Sequence, residues 1–206
     1  MTAMFSLAAP LRQYLAGLRV LIVLTVVLGI AYPLAVTGVG QLLLRGQANG
    51  SLVSMGGHPV GSALIGQNFT DAKGNALPQW FQSRPSAAGA SGYDPTASGA
   101  SNLGPSNPNL VKAIQARRAA AAALDGVAAA GVPPDALTAS GSGLDPQISP
   151  AYAYEQVDRV ARARGLDPGK VRTLVASMVT PRGLGFLGEP TVDVLQLNIA
   201  LAGLTG

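Results

Sequence analysis

The chain has 206 residues, enough for one domain and a membrane anchor. Only 12% are charged, against roughly 25% in an ordinary soluble domain, and of the net charge of +4 Arg12, Arg19 and Arg45 supply three, so the near-neutral remainder, with 11 Lys/Arg against 10 Asp/Glu, lacks the concentrated basic face of a nucleic-acid binder. The absence of cysteine excludes disulfides, thiolate metal sites and a cysteine nucleophile, and the single histidine, His58 in a Gly-Gly-His-Pro turn, reads as a surface turn residue.

In chain order, the first feature is an uncharged run over residues 20–44, preceded by Arg12 and Arg19 and followed by Arg45. At about 1.5 Å per residue it spans roughly 37 Å, longer than a hydrocarbon core of about 30 Å. Apolar residues on every face argue against a buried soluble helix, and the length argues against a cleaved signal peptide. The expectation is an N-terminal segment, residues 1–45, with one transmembrane helix over about residues 18–40. Pro33 would kink or end a water-exposed helix but is tolerated in a membrane. Two arginines before the run and one after it orient the N-terminus inward and the following domain outward.

Residues 46–206 are expected to form a compact mixed domain, which makes the whole chain α+β. Residues 51–69 carry Gly56-Gly57 and predict a β-hairpin with residues 52–55 and 60–65 as arms. Residues 78–83, with the lone Trp80, read as a short strand packing on the core or an interface. Residues 91–109 have no apolar period and are dense in turn formers. They suit either a flexible linker or an ordered loop held by Tyr93, Leu103 and two Asx-Pro steps.

Asn107 and Pro108 open a helix over residues 110–124, which closes on Asp125-Gly126. Ser149 caps the next helix, with Pro150 at its first position and Gly165 ending it. Asp167-Pro168 starts another, on which Val171, Leu174, Val175 and Met178 form an apolar stripe, and Thr180-Pro181 stops it. Residues 191–201 fit a helix through Val192, Leu195 and Ile199, and fit a strand nearly as well through alternation. Arg159, Arg162, Arg164, Lys170 and Arg172, interleaved with Glu155, Asp158 and Asp167, read as a solvated, salt-bridged helix face.

The most distinctive motif for chemistry is Ser140, Gly141, Ser142 and Gly143, ahead of the Ser149-capped helix. Small residues let a backbone approach a ligand, and successive N–H groups can cradle a phosphate. No Walker A pattern is present, no phosphate-pairing lysine follows, and Asp145 would repel a phosphate. The alternative is a tight turn whose Ser and Asp side chains satisfy backbone donors. A membrane-anchored extracytoplasmic serine hydrolase using this loop is the competing function. It lacks a G-x-S-x-G elbow, and its base would have to be His58. Asp94, Asp145, Glu155 and Asp193 read as caps or surface residues rather than acid–base partners.

Several segments resemble, in order, the C subunit family of the Kdp potassium-transporting ATPase. They are Gly61-Ser-Ala-Leu-Ile-Gly-Gln-Asn-Phe69, Trp80-Phe-Gln-Ser-Arg-Pro-Ser86, Tyr93-Asp94 and Ser101-Asn-Leu-Gly-Pro-Ser106. Thr138-Ala-Ser-Gly-Ser-Gly-Leu-Asp-Pro146, Ile148-Ser-Pro150 and Gln156-Val-Asp-Arg-Val-Ala-Arg-Ala-Arg164 follow, then Phe186-Leu-Gly-Glu-Pro190 and Val194-Leu-Gln-Leu-Asn198. Asp193 stands where the family pattern has Asn, and Gln196 where it has Glu.

The resemblance implies a non-catalytic accessory subunit of a high-affinity, ATP-driven potassium uptake complex in the bacterial inner membrane. It would have no catalytic residues, metal or cofactor of its own, and would share ATP with the ATPase subunit. The implied partners are a channel-like potassium-binding subunit, a P-type ATPase subunit and a small single-span subunit. The implied role is to aid assembly and to promote ATP use as a catalytic chaperone, with Ser140, Gly141, Ser142 and Gly143 contacting the nucleotide. That contact requires a cytoplasmic loop, whereas the arginine bias places the domain outside.

Overall fold

In the computed structural model, which describes residues 8–204, the chain divides into two compact units at the Ser51–Leu52 junction. In the first, helix α1 (Ala8–Val26) runs through a single π-helical stretch (Val27–Ala31) into α2 (Tyr32–Leu43). The π stretch ends two residues before Pro33, which has no N–H and whose ring crowds the carbonyl four residues back, that of Gly29 within the stretch; widening the turn accommodates both defects without breaking the helix. Residues Leu11–Leu43 form a helix of 33 residues, apolar enough to cross a membrane, and none of its richest window is buried within the chain. Leu44 leaves helical geometry, and the short helix α3 (Arg45–Ala48) is tied back by reciprocal amide bonds between Gln41 and Asn49 of 3.0 and 3.3 Å.

The second unit mixes helices with two small antiparallel sheets, so the expected α+β class holds. Strands β1 (Leu52–Met55) and β2 (His58–Ser62) form the expected hairpin, with Gly56 and Gly57 both at positive φ, as a tight two-residue turn requires. The second arm starts at His58, two residues earlier than expected, and His58 is exposed there. Helix α4 (Pro108–Asp125) is capped by Asn107, whose side chain accepts from the Asn109 N–H, and ends on Gly126 in the left-handed region. Strand β3 (Gln147–Ile148) precedes α5 (Pro150–Glu155), where the Ser149 hydroxyl accepts from the Tyr152 N–H. Helix α6 (Val157–Arg164) follows after a break at Gln156 and ends on Gly165 as expected.

Asp167 caps α7 (Pro168–Ser177), which leads into β4 (Val179–Thr180). The ambiguous segment resolves into both candidates: β5 (Thr191–Asp193), then α8 (Val194–Ala202). Asp193 is the hinge between them, its carboxylate accepting from the Gln196 N–H at 2.8 Å, the capping bond that an Asn side chain can equally make. Strand β5 sits between β3 and β4.

The core is aliphatic: Val157, Val160, Val171, Val175, Val192, Leu197 and Leu201 are fully buried together with Phe81. Burying each such side chain contributes about 1.5–3 kcal/mol. Of the expected stripe on α7, Val171 and Val175 are core, while Leu174 and Met178 pack at its margin.

Residues 78–83 are not a strand, and the reason is specific. Asn198 on α8 accepts from the Phe81 N–H (2.9 Å) and donates to the Phe81 carbonyl (3.0 Å). Gln156 does the same for Gln82, at 2.6 and 3.2 Å. Two buried side-chain amides therefore replace the neighbouring strand.

Arg159 is also corrected. It is buried rather than on a solvated face, with Nε 2.6 Å from Asp125 and further donors on the carbonyls of Pro78 and Trp80 and on Gln156. Arg164 and Arg172 stack over Trp80 and Tyr154 at 4.8 and 5.4 Å, so packing, not ion pairing, shapes that face. Next to this network the second oxygen of Asp125 and one oxygen of Glu155 are buried without a hydrogen-bond partner. Burial, reinforced by the charges of Asp125 and Asp135, pushes Glu155 up to about 7.

Two outcomes are expected in the full chain. Arg159→Ala strands a buried Asp125 and lowers stability by about 3–5 kcal/mol, measured as a fall in denaturation midpoint. Glu155 binds its proton more tightly folded than unfolded, so its ionisation lowers stability progressively as pH rises from about 4.5 through about 7. Glu155→Gln should therefore raise the midpoint more at pH 8 than at pH 5; a gain independent of pH would refute the assignment.

Candidate functional site

The Ser140–Gly143 segment is an irregular loop between a 3-10 turn (Pro134–Ala136) and β3. Its shape follows from its short polar side chains. The Ser140 hydroxyl is buried and accepts from the Gly143 N–H at 2.9 Å. The Ser142 hydroxyl accepts from the Leu144 N–H and donates to Asp145 at 3.0 Å. Gly143 has a φ of +70°, and a Cβ there would lie 2.7 Å from the Gly99 carbonyl and 2.8 Å from the Ala88 nitrogen, so glycine is required twice over. Gly141, by contrast, is exposed and faces open space.

Residues distant in sequence close around this loop. The Ser86 hydroxyl donates to the Gly143 carbonyl at 2.6 Å and accepts from the N–H groups of Ala88 and Tyr93. The Ser142 carbonyl accepts from the Gly99 N–H and the Ser98 hydroxyl. Arg84 pairs with Asp145 at 3.3 Å and donates to the Thr138 carbonyl. Tyr93 is buried with a positive φ of 56°, its hydroxyl donating to the Arg84 carbonyl at 2.9 Å; burial pushes that hydroxyl up to about 12. Gly66 lies against Tyr93 and the Asp145 carbonyl, where a Cβ would come within 2.6 Å of both. Between the two readings of residues 91–109, the stretch through Gly99 is thus an ordered partner of the loop.

The four residues singled out from the sequence therefore lie together but differ in kind. Ser140 and Gly143 are architectural. Among the described residues, the N–H groups of Gly141 and Ser142 have no intramolecular acceptor, and these are the donors the loop could present to an anion. The adjoining cleft is lined by Arg84, Asp135, Asp145, Ser149 and Glu189, three carboxylates against one guanidinium. That balance opposes a polyphosphate. Asp135 is itself occupied, accepting from the N–H and hydroxyl of Ser149 at 2.7 and 3.0 Å.

For the hydrolase alternative, both serine hydroxyls are bonded to groups that cannot act as a base for them in the required sense: Ser140 to a backbone N–H, and Ser142 to an Asp145 already paired with Arg84. His58 stands on the β1–β2 hairpin and, among the described residues, forms no hydrogen bond to either serine. The partners that sequence reasoning left without a role are Arg84 and Ser86, whereas Tyr93 holds its loop in order as one of the two readings expected. The signal for both is the Trp80–Ser86 string, one of the segments that carry the family resemblance.

The sequence matches the family model described as K+-transporting ATPase, c chain, over residues 14–203. The potassium-transporting ATPase KdpC subunit of Kineococcus radiotolerans is 59% identical over 191 residues, 93% of each chain. That of Polaromonas naphthalenivorans is 56% identical over 182 residues, 88% of this chain and 90% of the relative. That of Rhodospirillum rubrum is 52% identical over 191 residues, 93% of this chain and 95% of the relative. With the family match running from within the apolar helix to the end of α8, the chain belongs to the KdpC family, the c chain of the K+-transporting ATPase.

Proposed function

We propose that this chain is a non-catalytic subunit, anchored in the bacterial inner membrane by its apolar helix, that aids assembly of the ATP-driven potassium uptake complex and promotes ATP use by the P-type ATPase subunit. The observation that carries this reading is that the loop most suggestive of chemistry spends its polar side chains on its own shape, as a brace does: the Ser140 and Ser142 hydroxyls accept from the Gly143 and Leu144 N–H groups, and Asp145, which accepts from the Ser142 hydroxyl, is paired with Arg84. The second unit lies outside the membrane on the side set by Arg12 and Arg19, where it braces the channel-like subunit. Its influence on ATP is then transmitted through the partners rather than by contact.

A second reading has one observation in its favour: the unpartnered N–H groups of Gly141 and Ser142 could bind a phosphate of ATP if the loop faced the cytoplasm. The two readings part on the side of the membrane and on which glycine matters.

Membrane-impermeant maleimide applied to intact spheroplasts should label Ser142→Cys in the assembled complex; protection until the membrane is opened would sink the external placement and revive nucleotide contact. Gly143→Ala should destabilise the chain by about 2 kcal/mol or more and reduce recovery of partner subunits, since it adds a clash to a left-handed position. Gly141→Ala should leave ATPase activity and nucleotide affinity of the complex unchanged. A selective loss of nucleotide affinity in Gly141→Ala would favour the second reading.

A further inference from the structure

The connection from β4 to β5 is a second hairpin, residues 181–190, which neither the brace nor the core uses. At its tip Leu184, Phe186 and Leu187 are 85%, 70% and 54% exposed. Three large apolar side chains within four residues on a polar surface mark an interaction site rather than scattered exposure.

The tip is also held in one shape. Gly183 and Leu187 exchange backbone hydrogen bonds of 2.9 and 2.8 Å, and the Phe186 N–H donates back to the Gly183 carbonyl. Arg182 and Glu189 close the base as an ion pair. Pro181 and Pro190 fix the backbone where the hairpin leaves β4 and re-enters β5, the central strand of its sheet. Leu184 has a φ of +53°, a region that a leucine side chain disfavours and that an unconstrained exposed loop would abandon. The strain and the bracing together present Leu184 and Phe186 outward as a preformed knob.

We propose that this knob is a docking plug, seating Phe186 and Leu184 in an apolar socket on another polypeptide of the potassium-transporting ATPase; this rests on the assembly role above. Fixed shape favours a protein socket over lipid, because a preformed anchor lowers the ordering cost of specific binding, whereas a fluid interface selects for no particular shape. Charge points the same way. Arg182 is the single cation in residues 173–206 and is neutralised by Glu189, with Asp193 leaving a net charge of −1, so the cationic fringe of a membrane-surface element is missing.

The test uses the full-length chain co-expressed with the other subunits. A photoreactive benzoylphenylalanine in place of Phe186 should crosslink on irradiation to one partner polypeptide, while the same analogue in place of Val111, exposed on α4, should not. Leu184→Ala combined with Phe186→Ala should reduce partner recovery at least about tenfold, with Phe186→Leu keeping most of it. The thermal midpoint of the double variant should not fall, because the side chains are exposed. Crosslinking only to lipid or to a second copy, or full partner recovery by the double variant, overturns the plug and leaves the assembly role standing. If even the unmodified chain recovers no partner, both fall.

Discussion

Two side-chain amides carry much of this structure. Within residues 78–83, Phe81 and Gln82 are buried with no neighbouring strand, yet buried N–H and C=O groups must be paired. Asn198 and Gln156 each match one residue's donor and acceptor, so α8 and the α5–α6 break act as the missing strand for Phe81 and Gln82. Phe81 can then be fully buried, and the carbonyls of Pro78 and Trp80 are left pointing at Arg159, which in turn neutralises Asp125 at the end of α4. Arg84, three residues beyond Phe81, emerges at the position from which it pairs with Asp145 and steadies the serine-glycine loop. The aliphatic core supplies most of the burial, but this polar line connects α4, α5, α6 and α8 in one register.

What could be read from the sequence was local. Asn107, Ser149 and Asp167 cap helices because their short side chains reach the N–H groups of the first turn, and Gly126 and Gly165 end helices because they tolerate a left-handed φ. These interactions involve residues within four positions of one another. What could not be read depended on distant pairing. Arg159 looks like one more cation on a mixed helix face until Asp125, 34 residues away, is placed beside it. Residues 78–83 look like a strand because the amides that displace a strand partner lie 74 and 117 residues away. Residues 191–201 looked like both a strand and a helix because Asp193 ends one and caps the other.

The candidate loop divides along the same line. Its small residues and its turn-forming Ser142–Asp145 contact are visible in the string itself. The identity of its outer partners, Ser86, Ser98 and Gly99, is not, because they are separated from it by more than 40 residues. A glycine-rich string suggests openness to a ligand; in the fold, Gly143 is there because two backbone atoms of neighbouring segments already fill the space.

The π stretch ahead of Pro33 has a geometric result. In a helix of about 3.6 residues per turn, one extra residue rotates everything beyond it by about 100°. Stripes that run straight along α1 do not continue along α2; they swing to another side of the rod. A neighbour following the small residue Gly17 upward would therefore not meet Gly38 and Gly40 where an unbroken spiral would put them. The first and second halves of this one long helix thus turn different flanks outward, and no single straight stripe of side chains runs its whole length.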